Sequence, residues 1–135
     1  MTEEKNDLVN HPAHYEKCRI VLEPVDLTER LPHSLGSAVE YILRAPYKGT
    51  ERLDLQKAVW WLKRFRDVGL RQILKVDEYT LAPKAKVVMS ALCLTNNTLN
   101  LLVARDNGVL YVSIGTLNRT IEKLEKRIDE IEKDD

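Results

Sequence analysis

Apolar residues recur along the chain at helical spacing, and the stripes are separated by short breaks rich in Pro, Gly and Asn. After a polar opening, the run PVDLTERL predicts a short helix from Pro24 to Leu31, with proline suited to the first turn. LPHSL interrupts it. Leu35, Ala38, Val39 and Ile42 then lie on one helical face, which predicts a second helix starting at Ser34 or Gly36. Pro46 disfavours helix at Ala45, so APYKGT closes it. Leu55, Ala58, Val59, Leu62 and Phe65 predict a longer third helix, with Gly69 placed to stop it. YTLAP reads as a break, and a further helix starts near Pro83.

The last third holds two patterns. Around residues 99–114, two apolar, partly β-branched runs flank Asp106-Asn107-Gly108, a hairpin signal. The same residues also read as one helix end, a glycine cap and the approach to another helix. Beyond them, Ile114, Leu117, Ile121, Leu124, Ile128 and Ile131 alternate at three and four, the seam of a coiled coil. Ile at the first core position and Leu at the second favour two strands in parallel coils. A helix this short is marginal alone in water, so the seam must pack on a second chain or on another helix of this chain. The pattern predicts a homo-oligomer, dimer or higher, joined through these six residues.

The predicted fold class is therefore mainly α: a small helical domain plus a C-terminal coiled-coil helix, with a β-hairpin as the alternative around residues 99–114. The expected organisation is a tail at 1–8, a helical domain at 9–70, a helical or hairpin extension at 71–113 and an oligomerisation helix at 114–133.

Composition alters this picture little. The chain has 135 residues and zero net charge, which argues against a generally nucleic-acid-binding surface. Charge is uneven, however: residues 36–86 carry 11 basic and 6 acidic side chains, a local excess of five positive charges. The longest uncharged run, Val87 to Ala104, includes Asn96, Asn97 and Asn100, so a buried helix is expected there and no membrane span. Cys18 and Cys93 are far apart and read as free thiols of a reducing compartment. The acidic start MTEEKNDLVN does not resemble a secretion signal, so a cytoplasmic location is expected.

Candidate chemistry is confined to a few clusters. No GxxxxGK[ST], GxGxxG, HExxH or GxSxG occurs, so any phosphate site must be built from side chains or helix N-termini. NHPAHY places His11 and His14 three apart beside Tyr15; Glu16 or His33 could extend them, but no full ligand set accompanies them and no metal site is expected. Arg44, Lys48, Arg52 and Lys57 surround the break at Pro46 as a basic elbow, with Asp54 placed to cap the next helix and Glu40–Arg44 able to pair on the surface. Trp60 falls opposite the apolar stripe between Lys57 and Arg64, as a subunit contact or a stacking surface for a base.

Taken in order, VNHPAHY, LGSAVEYILRA, YKG and DLQKAVWWLKR resemble the SaV-like family of small bacteriophage proteins, over about residues 9–66. His11, His14, Tyr15, Arg44, Lys48, Asp54 and Lys57 match its motifs. Ser37, Glu40, Pro46 and Tyr47 depart from them, the last two where the family has glycine and lysine. The resemblance implies a phage early protein acting in the cytoplasm of an infected bacterium. Part of a deoxynucleoside monophosphate kinase of a T-odd coliphage, which lacks a Walker loop, is similar, and a lactococcal phage relative triggers a host defence system. For this chain the resemblance implies a nucleotide-binding protein, with phosphoryl transfer as its reaction. His11, His14, Arg44 and Lys48 would be catalytic, and Tyr15, Asp54, Lys57 and Trp60 would hold the nucleotide. The resemblance leaves the cofactor open: a kinase would take a nucleoside triphosphate donor, and Mg²⁺ could accompany it. The alternative is a non-enzymatic oligomer that binds a host protein or, less in keeping with zero net charge, nucleic acid.

Overall fold

The computed structural model describes residues 23–47 and 49–134. Among these, six α-helices surround one apolar core, and a three-stranded antiparallel sheet closes one side. The fold is mainly α, as the periodicity predicts.

The first helices follow their sequence signals closely. α1 (Pro24–Thr28) starts on its proline, and Asp26 accepts from the Glu23 backbone N–H (2.8 Å). α2 (His33–Arg44) buries Leu35, Ala38, Val39 and Ile42 on one face. Gly36 lets the two helices meet: a Cβ there would stand 2.9 Å from the Thr28 carbonyl oxygen. α3 (Glu51–Arg64) buries Leu55, Ala58, Val59 and Leu62.

Gly69 does not end α3. The helix continues as π-helical turns over Phe65–Leu74 and stops at Lys75, which takes the left-handed conformation at φ 59°. Fully buried Phe65 and Leu70 lie five residues apart, the spacing a widened turn brings onto one face. Gly69 instead makes room, since a Cβ there would lie 2.6 Å from the Phe65 ring.

The break at YTLAP contains a short strand, β1 (Glu78–Thr80), that periodicity did not predict. α4 (Pro83–Cys93) begins on its proline as expected. Residues 97–102 form α5 (Asn97–Leu102), where Asn96 accepts the Leu99 N–H (3.0 Å), so the hairpin is shorter than residues 99–114. Its strands are β2 (Ala104–Asp106) and β3 (Val109–Ser113), joined through Asn107 (φ 49°) and Gly108 (φ 79°). Two successive positive φ values make the turn that matches strand twist, and Asn-Gly tolerates both. β3 is central, with Tyr79 opposite Val112 on one side and Arg105 opposite Leu110 on the other.

α6 (Ile114–Asp134) follows β3 with no intervening loop. A reciprocal cap makes this junction: Thr116 Oγ1 accepts from the Ser113 N–H (2.8 Å), and Ser113 Oγ accepts from the Thr116 N–H (3.1 Å). The seam of α6 is not left for a second chain. Leu117, Ile121, Leu124 and Ile128 are buried in the chain's own core, and Ile114 and Ile131 pack at its edge. The partners are α3 and α5. Heptad spacing specifies an apolar stripe of this width but not which helix covers it. Polar pairs tie α6 to α3 and its π-helical continuation along the seam: a two-pronged Arg127–Glu51 pair (3.0 and 3.1 Å), Lys63–Glu125 (3.2 Å) and, from the π-helical turns, Arg66 to Asn118 (2.8 Å). No helix of the described residues is long and apolar enough to cross a membrane.

Burial also shifts two ionisable groups. It pushes the Tyr79 phenol and the Cys93 thiol above their ordinary values. The exposed Asp67 carboxyl lies below its ordinary value because Arg66 hydrogen-bonds it.

Two outcomes are expected. Leu117→Ala should cost about 2–5 kcal/mol, the range for opening a cavity in a core. If the seam is internal, the melting temperature of wild type and variant will not change over a hundredfold range of protein concentration; a rise with concentration contradicts this packing. Because the folded phenol of Tyr79 is raised, its stabilising effect is complete below its unfolded value of about 10 and is lost as pH rises through the folded value. Tyr79→Phe should flatten the alkaline fall in stability, read by urea titration between pH 8 and pH 11. Cys93 contributes in the same direction and keeps part of the fall.

Candidate functional site

α2 and α3 form an antiparallel pair around the Pro46 elbow, and each buries one face. The elbow tightens as Tyr47 N–H donates to the Arg44 carbonyl (3.0 Å). Away from the core, α2 presents His33, Tyr41 and Arg44, and α3 presents Lys57, Trp60 and Trp61.

Tyr41 joins the two helices on this face. The Arg44 guanidinium carbon lies 5.4 Å from its ring centre and the Lys57 Nζ 5.5 Å. Each cation is within reach of the negative ring face, worth about 0.5–1 kcal/mol at exposed sites. Neither cation forms an ion pair with a described carboxylate. Glu40, able by spacing to pair with Arg44, accepts instead from the Thr28 hydroxyl (3.2 Å).

Farther along, three aromatic rings meet edge to face. His33 packs on Trp61 at 5.2 Å and 90°, and Trp61 packs on Trp60 at 4.9 Å and 88°. Trp61 is partly buried against the core, whereas Trp60 remains 57% exposed. Edge contacts hold the indole in place at one side and leave its remaining surface to solvent. Exposed Leu53 lies about two helical turns before Trp60 on the same face. The result is a shallow strip with a cationic end at Arg44 and Lys57 and an aromatic end at Trp60.

The expected site residues thus separate into three groups. Lys57 and Trp60 lie on one face of α3, and the Tyr41 ring brings Arg44 of α2 near Lys57. Asp54 does not join them: it is 3% exposed, and its Oδ2 accepts from the Thr50 hydroxyl (3.0 Å). Thr50, not Asp54, is the residue preceding α3, and Asp54 steadies the first turn from within. His11, His14, Tyr15 and Lys48 lie outside the described residues. Tyr41, Trp61 and His33 are additions to the face. A helical-hairpin count could have found the His33–Trp61 contact, because His33 lies 11 residues before the end of α2 at Arg44 and Trp61 lies 10 after the start of α3 at Glu51.

No group of three or more His, Cys, Asp or Glu side chains converges among the described residues. The face can therefore be credited with attraction of negative charge and stacking of flat rings, both from side chains.

Residues 9–63 match a family described as a protein of unknown function (DUF3310). The matched stretch covers the segment carrying the four ordered motifs and includes nearly all of α1, α2 and α3. No curated protein and no solved structure matches the chain.

Asp54→Ala should destabilise the fold by about 1–3 kcal/mol in urea titration, through loss of a buried acceptor. Asp54→Asn, which keeps an oxygen for Thr50, should lose less. Equal stability of the alanine variant and wild type would contradict the structural role and return Asp54 to the exposed face.

Proposed function

We propose that the α2–α3 face binds a nucleotide, with the base against Trp60 and the phosphate toward Arg44 and Lys57. One observation carries this: two cations from different helices converge on the Tyr41 ring beside an exposed, edge-supported tryptophan. A flat ring is recognised by stacking, worth about 1–3 kcal/mol per base, and a phosphate by lysine and arginine donors. The chain needs no glycine-rich loop for this, in keeping with the lack of a Walker motif.

The resemblance of residues 9–66 to the SaV-like phage proteins suggests the reaction this binding would serve. The terminal phosphoryl group of a nucleoside triphosphate would pass to an oxygen of a deoxynucleoside monophosphate, the donor P–O bond breaking as the acceptor P–O bond forms. Cations placed on the phosphoryl oxygens are most of what such a transfer requires of a protein. Arg44 and Lys57 are suited to that, and Asp54 is not assigned to it. The described residues offer no grouped carboxylates to hold Mg²⁺, so no step is assigned to a resident metal. A phage origin and action in a bacterial cytoplasm belong to the same proposal.

Titration with the common nucleoside mono- and triphosphates, followed by tryptophan fluorescence and thermal shift, tests the reading. Trp60→Ala should weaken binding by roughly five- to a hundredfold, the equivalent of about 1–3 kcal/mol of stacking. Arg44→Ala with Lys57→Ala should weaken phosphorylated ligands but not nucleosides. If no nucleotide shifts the melting temperature, the binding site falls. If nucleotides bind but no monophosphate becomes diphosphate in the presence of a triphosphate and Mg²⁺, the kinase reaction alone falls.

A further inference from the structure

On another side of the same elbow lies a groove of about 520 Å³ between the end of α2, the start of α5 and the middle of α6. Its volume falls in the range of small-molecule sites. It lies where α2 ends and α3 begins, over the stretch of α6 from Lys123 to Glu130. Ile42, Ala45, Leu55 and Leu124 are nearly buried and supply an apolar floor. None of them reaches across the gap.

The rim is polar and carries more positive than negative charge. Lys123, Lys126 and Arg127 line it together with Glu51 and Glu130. Arg127 and Glu51 neutralise each other through their two-pronged contact. That leaves two exposed lysines, neither paired with a described carboxylate, against Glu130 alone. Lys123 and Lys126 stand three apart on α6, so both can reach one group over the groove. Exposed Asn97 also lines the groove.

We propose that this groove binds a small amphiphilic anion, with its apolar body over Leu55 and Leu124 and its charged head between Lys123 and Lys126. The floor favours burial of a ring or short chain, and the lysines favour a sulfonate, phosphate or carboxylate. The site is separate from the Trp60 face: no residue of the Tyr41–Lys57–Trp60 strip lines it.

The test uses the full chain and the fluorescent anion 8-anilinonaphthalene-1-sulfonate, with AMP and octanoate as competitors. Because the probe and AMP also suit the proposed Trp60 face, binding is read in the Trp60→Ala chain, where one saturable site is expected. Lys123→Glu with Lys126→Glu should weaken it at least tenfold, with circular dichroism and melting temperature showing that the variant is folded. Should that charge reversal unfold the chain, Lys123→Gln with Lys126→Gln applies the same test with a milder change. Displacement by AMP would assign the site to aromatic phosphates, and displacement by octanoate to short acyl carboxylates. Displacement by neither, unchanged affinity in the lysine variants, or loss of the signal in Trp60→Ala would overturn the proposal.

Discussion

Burial of α3 on two sides at once is the constraint on which the molecule depends. Leu55, Ala58, Val59 and Leu62 must be covered, and neither α2 nor α6 alone covers them. α2 runs into the Pro46 elbow and takes one side as α3 returns beside it. α6 runs antiparallel along the other, with Arg127–Glu51 near one end and Arg66–Asn118 near the other. The polar contacts are exposed and individually worth little, so they set alignment more than stability. The apolar seam between them supplies the free energy.

The same double burial creates the candidate site. With two sides of α3 covered, the remaining face must carry Lys57 and Trp60 outward. The antiparallel return of α2 places Tyr41, Arg44 and His33 beside them. The aromatic-cationic strip is therefore a consequence of how the core is closed. The groove over Leu55 and Leu124 lies at the other side of the elbow, where α2 ends and α3 begins against α6.

The sheet has a supporting role. β3 lies between β1 and β2, and its Leu110 and Val112 join Leu81 in the core. Tyr79 of β1 meets the Phe65 ring edge to face at 6.1 Å. That contact ties the strand to the π-helical turns, where Gly69 makes room for the same ring. The direct passage from Ser113 into α6 then fixes where the long helix starts, and so which of its residues meet α3.

Local chemistry alone determined much of this. Pro24, Pro46 and Pro83 mark helix boundaries because proline restricts φ and lacks an N–H. The apolar periods of α2, α3 and α6 are visible because a 3.6-residue turn brings those positions together whatever covers them. Asn107-Gly108 marks the hairpin because both residues tolerate positive φ. The outward placement of Trp60 comes from the same helical geometry. Tertiary packing decided the rest. Only the fold shows that the α6 stripe is covered within the chain, because apolar spacing carries no information about its partner. Only the fold turns Asp54 inward to Thr50, lengthens α3 into π-helical turns past Gly69, and brings Tyr41 between Arg44 and Lys57. The cover over α6 and the approach of Lys57 to Tyr41 join residues far apart in the chain, where local propensity has no influence; the Thr50–Asp54 and Gly69–Phe65 contacts are near in sequence, but apolar periodicity does not specify them.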